Sequence, residues 1–466
     1  MRHELLLVAL AVILLVTEII LPKEKKHRII LPSILLMALV TALGFIPGPA
    51  GTLFGGMYAT TDLVILVKNI LNTGVLIVMI QSVDWLRKEE NKEKISEYYI
   101  LMIATLIGME YMISAGDFLM FYLGLELATI PLAALSAWER FKEKSAEAGV
   151  KLIFTSALSS GVLLYGLSMI YGTAGTLYFD EIGQQITGTP LQALGFIFFF
   201  AGMAFKLSLV PFHLWTADVY EGAPVSIAGY LSVISKGAAA FVFTAILFTV
   251  FYRITALWED VLYIIIILTI TIGNLFALRQ QNLKRFLAFS SIAQAGFILL
   301  GIIGQSAYGM TTVVYFILVY IFSNLGAFGV VAIISNRTGK ETIDDYDGLY
   351  RTNPKLSLIM MLALFSLAGI PPVAGFFGKF FLFAAAAEKG FYILVLIAII
   401  NTIISLYYYL LVVKAMFLNR SDRPIGYFKS DGYTRLGLIL CVAGIVVIGL
   451  ASIIFETMLE LSFGPF

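Results

Sequence analysis

The chain has 466 residues, of which 60% are hydrophobic and 13% are charged, and its formal net charge at pH 7 is +1. About a quarter of the residues in a soluble domain are charged. This composition therefore excludes an ordinary soluble protein, and the charge gives no indication of a nucleic-acid partner. Apolar stretches of about 20 residues, the length that spans about 30 Å of hydrocarbon, recur from end to end. We therefore expect an all-α integral membrane protein in contact with the lipid bilayer.

About fourteen apolar segments follow one another, separated by short loops. They fall at 4–21, 29–47, 62–86, 97–114, 117–137, 149–172, 191–215, 225–252, 259–279, 286–305, 309–335, 356–388, 391–418 and 434–460. The positive run that follows the first segment indicates a retained span rather than a signal peptide.

Charge alternates between successive loops. Most of the 31 Lys and Arg residues lie in six loops on one side, KEKKHR, RKEENKEK, ERFKEK, RQQNLKR, NRTGKETIDDYDGLYRTNPK and NRSDRPIGYFKSDGYTR. The positive-inside rule places these loops in the cytoplasm and both termini on the non-cytoplasmic side. We therefore expect a multi-pass protein of the cell inner membrane with an even number of spans.

Two spans are interrupted by proline, the seventh at Pro211 (FKLSLVPFHLW) and the twelfth at Pro371 and Pro372 (GIPPVAGFFGKF). They lie five spans apart. When a repeat unit has an odd number of spans, its second copy crosses the membrane in the opposite orientation. Broken helices at matching places in two halves indicate an ion site. Unrelated proline kinks are the alternative. A buried lysine near each break favours the first interpretation.

The five-span interval between the two proline-interrupted spans predicts a chain of four parts. Residues 1–96 form helices 1–3, and residues 97–252 form a first five-helix repeat, helices 4–8. Residues 253–418 form a second, inverted repeat, helices 9–13, and residues 419–466 form the last loop and helix 14.

Four ionisable residues lie deep inside separate spans: Glu126 in the fifth, Lys206 in the seventh, Lys236 in the eighth and Lys379 in the twelfth. A charge in mid-bilayer costs from about 3 to over 10 kcal/mol, so such residues face a wet cavity or a partner. Lysine can lose its proton, whereas arginine is effectively always charged. The four residues thus indicate proton movement, with structural ion pairs as the alternative.

Two other lysines lie nearer the ends of their spans. Lys414 is close to a cytoplasmic end and is expected to extend to the interface. Lys68 lies about two turns from the outer end of its span, where extension to the interface and burial are both compatible with the sequence.

Further polar residues inside spans can connect the buried charges. They are the stripe Glu147, Lys151, Thr155 and Ser159 on the sixth span, Ser290, Ser291 and Gln294 on the tenth, and Tyr320 and Asn324 on the eleventh. His213, seven residues after Lys206, can relay protons near pH 7. For each of them the alternative is an interhelical hydrogen bond, worth about 0.6 kcal/mol.

No internal energy source is visible. Cys441 is the single cysteine, which excludes an intrachain disulfide and a cysteine-ligated cluster. GFFGKF lacks the spacing of a nucleotide-binding P-loop. We therefore assign no cofactor-binding and no metal-binding residues, and expect the protons to be driven by a partner or exchanged against another ion.

Four stretches resemble the proton-translocating antiporter-like subunits of respiratory complex I. They are FYLGLELATIPLAAL, FKLSLVPFHLWTADVYEGAPVSIAGYLSVISKGAA, FSSIAQAGF and LAGIPPVAGFFGKFFLF. Within this family the chain is most similar to the N-type subunits. Lysine at 379 departs from the M-type pattern, which has glutamate there, and the short end after span fourteen departs from the L-type.

The resemblance implies Glu126 and Lys206 as a glutamate–lysine pair, Lys236 as the central lysine and Lys379 as the terminal proton carrier. Lys151 and His213 match auxiliary positions. It also implies a non-redox subunit of an NADH:quinone oxidoreductase, with NADH, FMN, iron–sulfur clusters and quinone on other subunits. The expected partners are neighbouring antiporter-like and small membrane subunits.

Two alternatives stay open. The first is a cation/proton antiporter subunit of a multisubunit Na+/H+ antiporter or a membrane-bound hydrogenase, since the family includes these proteins. The second is a scaffold whose buried charges are structural.

Overall fold

A computed structural model describes residues 1–462, and its regular structure is almost entirely helical. The α-helices are α1 Arg2–Ile20, α2 Ile30–Gly44, α3 Asp62–Leu86, α4 Ile95–Ile113, α5 Phe118–Leu127, α6 Ile130–Ser136, α7 Glu143–Ala174, α8 Phe179–Gln185, α9 Pro190–Leu207, α10 Leu214–Gly222, α11 Val225–Tyr230, α12 Lys236–Thr249, α13 Thr255–Ala277, α14 Leu283–Ile303, α15 Ala307–Thr338, α16 Leu349–Thr352, α17 Pro354–Ala368, α18 Ala374–Glu388, α19 Tyr392–Phe417, α20 Gly432–Leu450 and α21 Ile453–Ser462. Strands β1 Gly51–Leu53 and β2 Tyr58–Thr60 pair in an antiparallel hairpin between α2 and α3.

The predicted all-α membrane fold is confirmed, and a helix lies in each predicted segment. Within residues 1–462, 12 helical segments are long and apolar enough to cross a membrane. The two other predicted spans are α4, which carries Glu97 and Glu110, and the broken pair α17 and α18. The total of fourteen spans, like the domain boundaries, stays a prediction, and the last residues of the chain lie outside the described part.

Burial separates a central layer of helices from an outer one. The residues of α14 are almost all buried, and α3, α12 and α15 are buried over most of their length. By contrast, α7 exposes Phe154 and Leu158, and α19 exposes Ile403. Large apolar side chains exposed on a helix of this length are suited to lipid. The buried polar side chains of α3, α12, α14 and α15 therefore lie inside the bundle.

The first break separates α9 from α10. Ser208 adopts a left-handed conformation with φ 61°, and the Val210–Pro211 peptide is cis. Proline lacks the N–H that would continue the helix, so carbonyl groups are left without their usual donors. The indole Nε1 of Trp215 donates to one of them, the Phe205 carbonyl, at 3.2 Å.

The second break, between α17 and α18, lies at the matching place in the other half of the chain. It has the same two features, a residue with positive φ and a cis peptide bond before proline. Gly369 adopts φ 87° and the Pro371–Pro372 peptide is cis. The chain then turns back closely, because a Cβ on Gly375 would lie 1.6 Å from the Ser366 carbonyl oxygen. Broken helices at both predicted positions are confirmed.

A third irregularity, not predicted, lies in the eighth span. Residues Leu231–Ser235 form a π-helical turn that ends immediately before Lys236. Such turns often occur at functional sites. In this turn Ser232 accepts a hydrogen bond from the side-chain amide of Asn324 at 2.6 Å, which ties the turn to α15.

Candidate functional site

Lys206 lies at the C-terminal end of α9, beside the kink between α5 and α6. It is buried, and its Nζ donates to Thr129 Oγ1 at 2.6 Å. Thr129 in turn donates to the Leu125 carbonyl at 2.5 Å. Glu126 precedes Thr129 by one turn and keeps Oε1 buried without a hydrogen-bond partner in the described structure. The expected glutamate and lysine thus share one site, with the threonine hydroxyl as the present partner of the ammonium group.

Lys236 lies at the centre of the bundle. Its Nζ donates to Ser291 Oγ at 2.8 Å and stands 5.5 Å from the ring centroid of Tyr220, so that α14 and α10 both hold the ammonium group. A cation over an aromatic face is stabilised by the ring quadrupole. His213, in the first break, is buried with Nδ1 lacking a hydrogen-bond partner among the described residues. The break thus places a second protonatable side chain near Lys236.

Lys379 lies in α18, one turn after its start, and returns to the second break. Its Nζ donates to the Ala368 carbonyl at 3.1 Å and lies 4.7 Å from the ring centroid of Phe297. The C-terminal end of a helix carries unpaired carbonyls and a partial negative charge, which favour a cation. The lysine therefore occupies the position that stabilises the end of α17.

Hydrogen-bonding groups connect the surroundings of Lys236 with those of Lys379. Next to Ser291, the Ser290 hydroxyl lies 2.5 Å from the Tyr409 hydroxyl, which accepts from Gln294 Nε2 at 3.3 Å. Gln294 Nε2 also donates to the Leu367 carbonyl at 3.1 Å. Leu367 immediately precedes Ala368, the acceptor for Lys379. Polar groups on α14, α17 and α19 thus lie between the two lysines.

Lys151 is placed differently from the other predicted residues. It is half-exposed on α7 and forms ion pairs with Glu147 and Asp218. Asp218 also accepts from Arg285 at 2.6 Å, and Arg285 bonds Glu221 at 2.8 Å. Lys151 therefore belongs to an ion-pair cluster at the ends of α7, α10 and α14, and its auxiliary role stays a prediction.

A cavity of about 470 Å³ lies beside this cluster. Charged and hydroxyl side chains line it, among them Lys144, Glu221, Lys284, Glu341 and Ser226. The loops around it are the basic loops that the charge pattern places in the cytoplasm. This side of the bundle therefore has a polar space that is large enough for water.

The two remaining lysines have different environments. Lys414 is exposed, as expected for a side chain that extends to the interface. Lys68 is buried to 1% exposure and paired with Glu4, so extension to the interface is wrong for this residue. The physical reason is that a carboxylate on α1 compensates the charge inside the bundle.

Sequence reasoning missed Thr129, Tyr220 and Tyr409. Thr129 had a signal, because it follows Glu126 by three residues and therefore shares its helix face. Tyr220 and Tyr409 had no such signal in the sequence, because a tyrosine in an apolar helix is as typical of lipid interfaces as of a buried polar row.

The fold and this row of buried lysines at two broken helices define an antiporter-like membrane subunit. The chain belongs to the family described as NADH:quinone oxidoreductase/Mrp antiporter, TM, whose model matches residues 115–405. NADH-quinone oxidoreductase subunit N of Phocaeicola vulgatus is 52% identical over 457 residues, which cover 98% of this chain and 97% of that protein. Subunit N of Moorella thermoacetica is 39% identical over 419 residues, with 89% and 87% covered.

Solved structures of large membrane complexes contain the same fold. A chain of respiratory complex I from Thermus thermophilus with bound aureothin is 29% identical and matches with a TM-score of 0.81, covering 96% of this chain and 97% of that one. A chain of the Mrp complex from Dietzia sp. DQ12-45-1b reaches a TM-score of 0.84 at 19% identity, over 99% and 96% of the two chains. The second likeness concerns the fold alone.

Proposed function

We propose that the chain is the N-type proton-translocating subunit in the membrane arm of an NADH:quinone oxidoreductase. Curated relatives with that name cover nearly the whole chain at up to 52% identity. The structural observation that carries the proposal is the row Lys206, Lys236 and Lys379, held on three helices that two breaks and a π-helical turn interrupt. Protons move along this row while electron transfer takes place on other subunits.

Each lysine of the row has a neutral or aromatic partner. Thr129, Ser291 and the Ala368 carbonyl accept their hydrogen bonds, and none of the three forms an ion pair among the described residues. Without a carboxylate at bonding distance, the ammonium group is stabilised less than in an ion pair and can release its proton more readily. A row built in this way can pass a proton onward.

The coupling step is a change of partner at Lys206. In one state Lys206 bonds Thr129, as observed here; in the other it bonds Glu126, one turn away. A hydrogen bond between charged groups is stronger than a neutral one by about 1–2 kcal/mol. Moving one charge through 100 mV takes about 2.3 kcal/mol, which is of the same order. A charge that arrives from a neighbouring subunit at Glu126 thus supplies energy on the required scale.

The chain takes no part in the redox chemistry in this proposal. NADH, FMN, the iron–sulfur clusters and quinone bind to other subunits, and this chain acts as a non-redox subunit of the translocase. A single cysteine is too few for a cysteine-ligated cluster. Its partners are neighbouring antiporter-like and small membrane subunits, and both of its termini lie on the non-cytoplasmic side of the inner membrane.

A cation/proton antiporter subunit is the second candidate, because the matching family includes Mrp antiporters and the fold is shared with an Mrp complex. Such a protein is driven by an ion gradient and not by electrons. Purification separates the two: co-isolation with NADH-oxidising subunits supports the first, and isolation with small antiporter subunits alone overturns it.

The test of the row is Lys236→Ala in the assembled complex, reconstituted in liposomes. We expect proton pumping and coupled quinone reduction to fall several-fold, because the central ammonium group is lost. Lys389→Ala, an exposed lysine at the end of α18, is the matched control and should retain both rates. Normal pumping by Lys236→Ala would remove the central step and with it the proposed route.

A further inference from the structure

We propose that the N-terminal bundle contains a second proton-binding site, formed by Glu4, Lys68 and Glu110. These residues lie on α1, α3 and α4, outside the residues matched by the family model and away from the lysine row. Glu4 is in the first turn of α1 and Glu110 in the last turn of α4, so the site is close to the membrane face that carries the N-terminus. The proton enters and leaves on that side.

The first part of the site is a compensated ion pair. Lys68 donates to Glu4 Oε1 and, at 2.6 Å, to Ser114 Oγ. The Tyr58 hydroxyl accepts from Lys68 at 3.2 Å and donates to the same Glu4 oxygen at 2.9 Å. The charge of Lys68 is thus balanced by Glu4, with Tyr58 and Ser114 supplying the remaining hydrogen bonds.

Glu110 is the second carboxyl group, and it has no such partner. Its side chain is fully buried, and within the described structure neither of its oxygens accepts a hydrogen bond. The amide of Asn72, also fully buried, faces it with oxygen and nitrogen both unpaired. A buried charge without a partner is strongly unfavourable, so this position favours a carboxyl group that carries a proton.

The charge balance around Glu110 is what makes its proton exchangeable. The charged and titratable groups that face it are Glu4 and the terminal ammonium of Met1 from α1, Lys68 from α3, Tyr230 from α11 and Tyr111 on α4 itself. Lys68 is the buried cation of this set; it bonds Glu4 and faces Glu110. When it turns from Glu4 towards Glu110, the preferred position of the proton changes from one carboxyl group to the other.

An access route lies beside the ion pair. A cavity of about 150 Å³ is lined by Met1, Arg2, His3 and Tyr58 among others, and Tyr58 bonds Glu4 directly. This volume holds a few water molecules. His3, on the wall of the cavity, bonds Asn69 at 2.9 Å. The Tyr58 side chain thus lies between this cavity and Glu4.

The ligand is a proton and not a metal ion. The ammonium group of Lys68 already occupies the place of a cation next to Glu4. No group of three or more His, Cys, Asp or Glu residues that could hold a metal ion occurs within residues 1–462. A carboxyl group and a lysine in one enclosed cluster are suited to binding and releasing single protons.

Polar pairs continue from this site along the α4–α11 interface. Thr105 Oγ1 lies 2.6 Å from the Tyr230 hydroxyl, and the Tyr98 hydroxyl lies 2.9 Å from Ser226 Oγ. Ser226 lines the large cavity at the opposite end of the bundle. The interface between Glu110 and that cavity is therefore polar at two intermediate levels.

The proposal rests on the proposed proton translocation, and it is tested in the intact complex reconstituted in liposomes. NADH added outside selects complexes whose NADH-binding arm faces outward, so the N-terminal face of this subunit borders the lumen. We expect Glu110→Gln to lower the pumping rate several-fold and to remove its dependence on lumen pH, whereas Glu110→Asp retains both. The matched control is Glu18→Gln at the other end of α1. Wild-type pumping by Glu110→Gln with an unchanged lumen-pH profile would overturn the proposal.

A second variant covers the case in which Glu110→Gln does not assemble. Glu4→Gln releases Lys68 from its pair, and the freed ammonium group then stabilises ionised Glu110. The lumen-pH profile should shift towards acid pH, and an unchanged profile overturns the site. Lys236→Ala is measured in parallel. If Lys236→Ala is impaired in pumping while Glu110→Gln is normal, only the second site is overturned. If Lys236→Ala itself pumps normally, the proposed function fails.

Discussion

Lys206 donates its hydrogen bond to Thr129, at 2.6 Å, and not to Glu126, which stands one turn earlier on the same helix face. The two groups differ in chemistry, a neutral hydroxyl and a carboxyl group, and Glu126 Oε1 has no hydrogen-bond partner among the described residues. In the proposed coupling step, a displacement of α5 or α9 exchanges the hydroxyl for the carboxylate. In that proposal the pair is an element with two states.

Thr129→Val tests whether the neutral partner matters. Valine has nearly the shape of threonine but cannot accept a hydrogen bond, so Lys206 is expected to bond Glu126 instead and to release its proton less readily. Proton pumping in the reconstituted complex should fall several-fold with assembly unchanged. Thr244→Val, which removes a buried hydroxyl that bonds only its own helix, is the control. Equal pumping by the two variants contradicts the two-state role of Thr129.

Tyr409→Phe tests the connection between Lys236 and Lys379. The change removes one hydroxyl that joins Ser290 to Gln294 and leaves the ring in place. We expect pumping to slow about two- to tenfold, which corresponds to about 0.4–1.4 kcal/mol in the barrier.

A buried tyrosine outside the row provides the matched control for this change. The Tyr315 hydroxyl donates to the Ile448 carbonyl at 3.3 Å, so Tyr315→Phe should pump at the wild-type rate. Comparable slowing in both variants would show that the effect is structural and not specific to the row.

The sequence predicted the spans, both breaks and the deep lysines because each has a one-dimensional signal. An apolar run, a proline and a charge among apolar residues can all be read without knowing which helices are neighbours. The outcome for Lys68 shows the limit of this reading. Its depth in α3 was visible, but its partner Glu4 lies 64 positions earlier in the chain.

Two further features could not be predicted for the same reason. They are the π-helical turn before Lys236 and the hydrogen-bond partner of Lys206. Nothing in the run Leu231–Ser235 distinguishes a π turn from an α-helix, and the partner of Ser232 in this turn, Asn324 on α15, lies far along the chain. The family resemblance implied that Glu126 and Lys206 form a glutamate–lysine pair. In the structure the kink at Thr129 presents a hydroxyl to the lysine first.

Lys379→Arg tests whether the terminal residue must lose its proton. Arginine keeps the positive charge at the end of α17 and its hydrogen bond to the Ala368 carbonyl, but it remains protonated. We expect the complex to assemble and proton pumping through this subunit to be lost. Lys389→Arg, at the exposed end of the same helix, should have no effect. Retained pumping in Lys379→Arg would mean that the residue acts only through its charge.

Gly375→Ala tests whether the close turn at the second break holds Lys379 in position. The added Cβ would lie 1.6 Å from the Ser366 carbonyl oxygen, a backbone atom that cannot move aside alone. Relief requires α17 and α18 to separate, at a cost of about 1–3 kcal/mol or more. The hydrogen bond from the Gly375 amide to Ser366 Oγ, 3.1 Å long, would be lost at the same time. We therefore expect less assembled complex on native gels and a lower thermal midpoint.

Gly161→Ala on α7, where a Cβ meets no atom within 4 Å, is the control and should assemble normally. If Gly375→Ala matches the control, the turn tolerates a side chain, and the position of Lys379 depends on its bond to Ala368 and not on the close approach of the two half-helices.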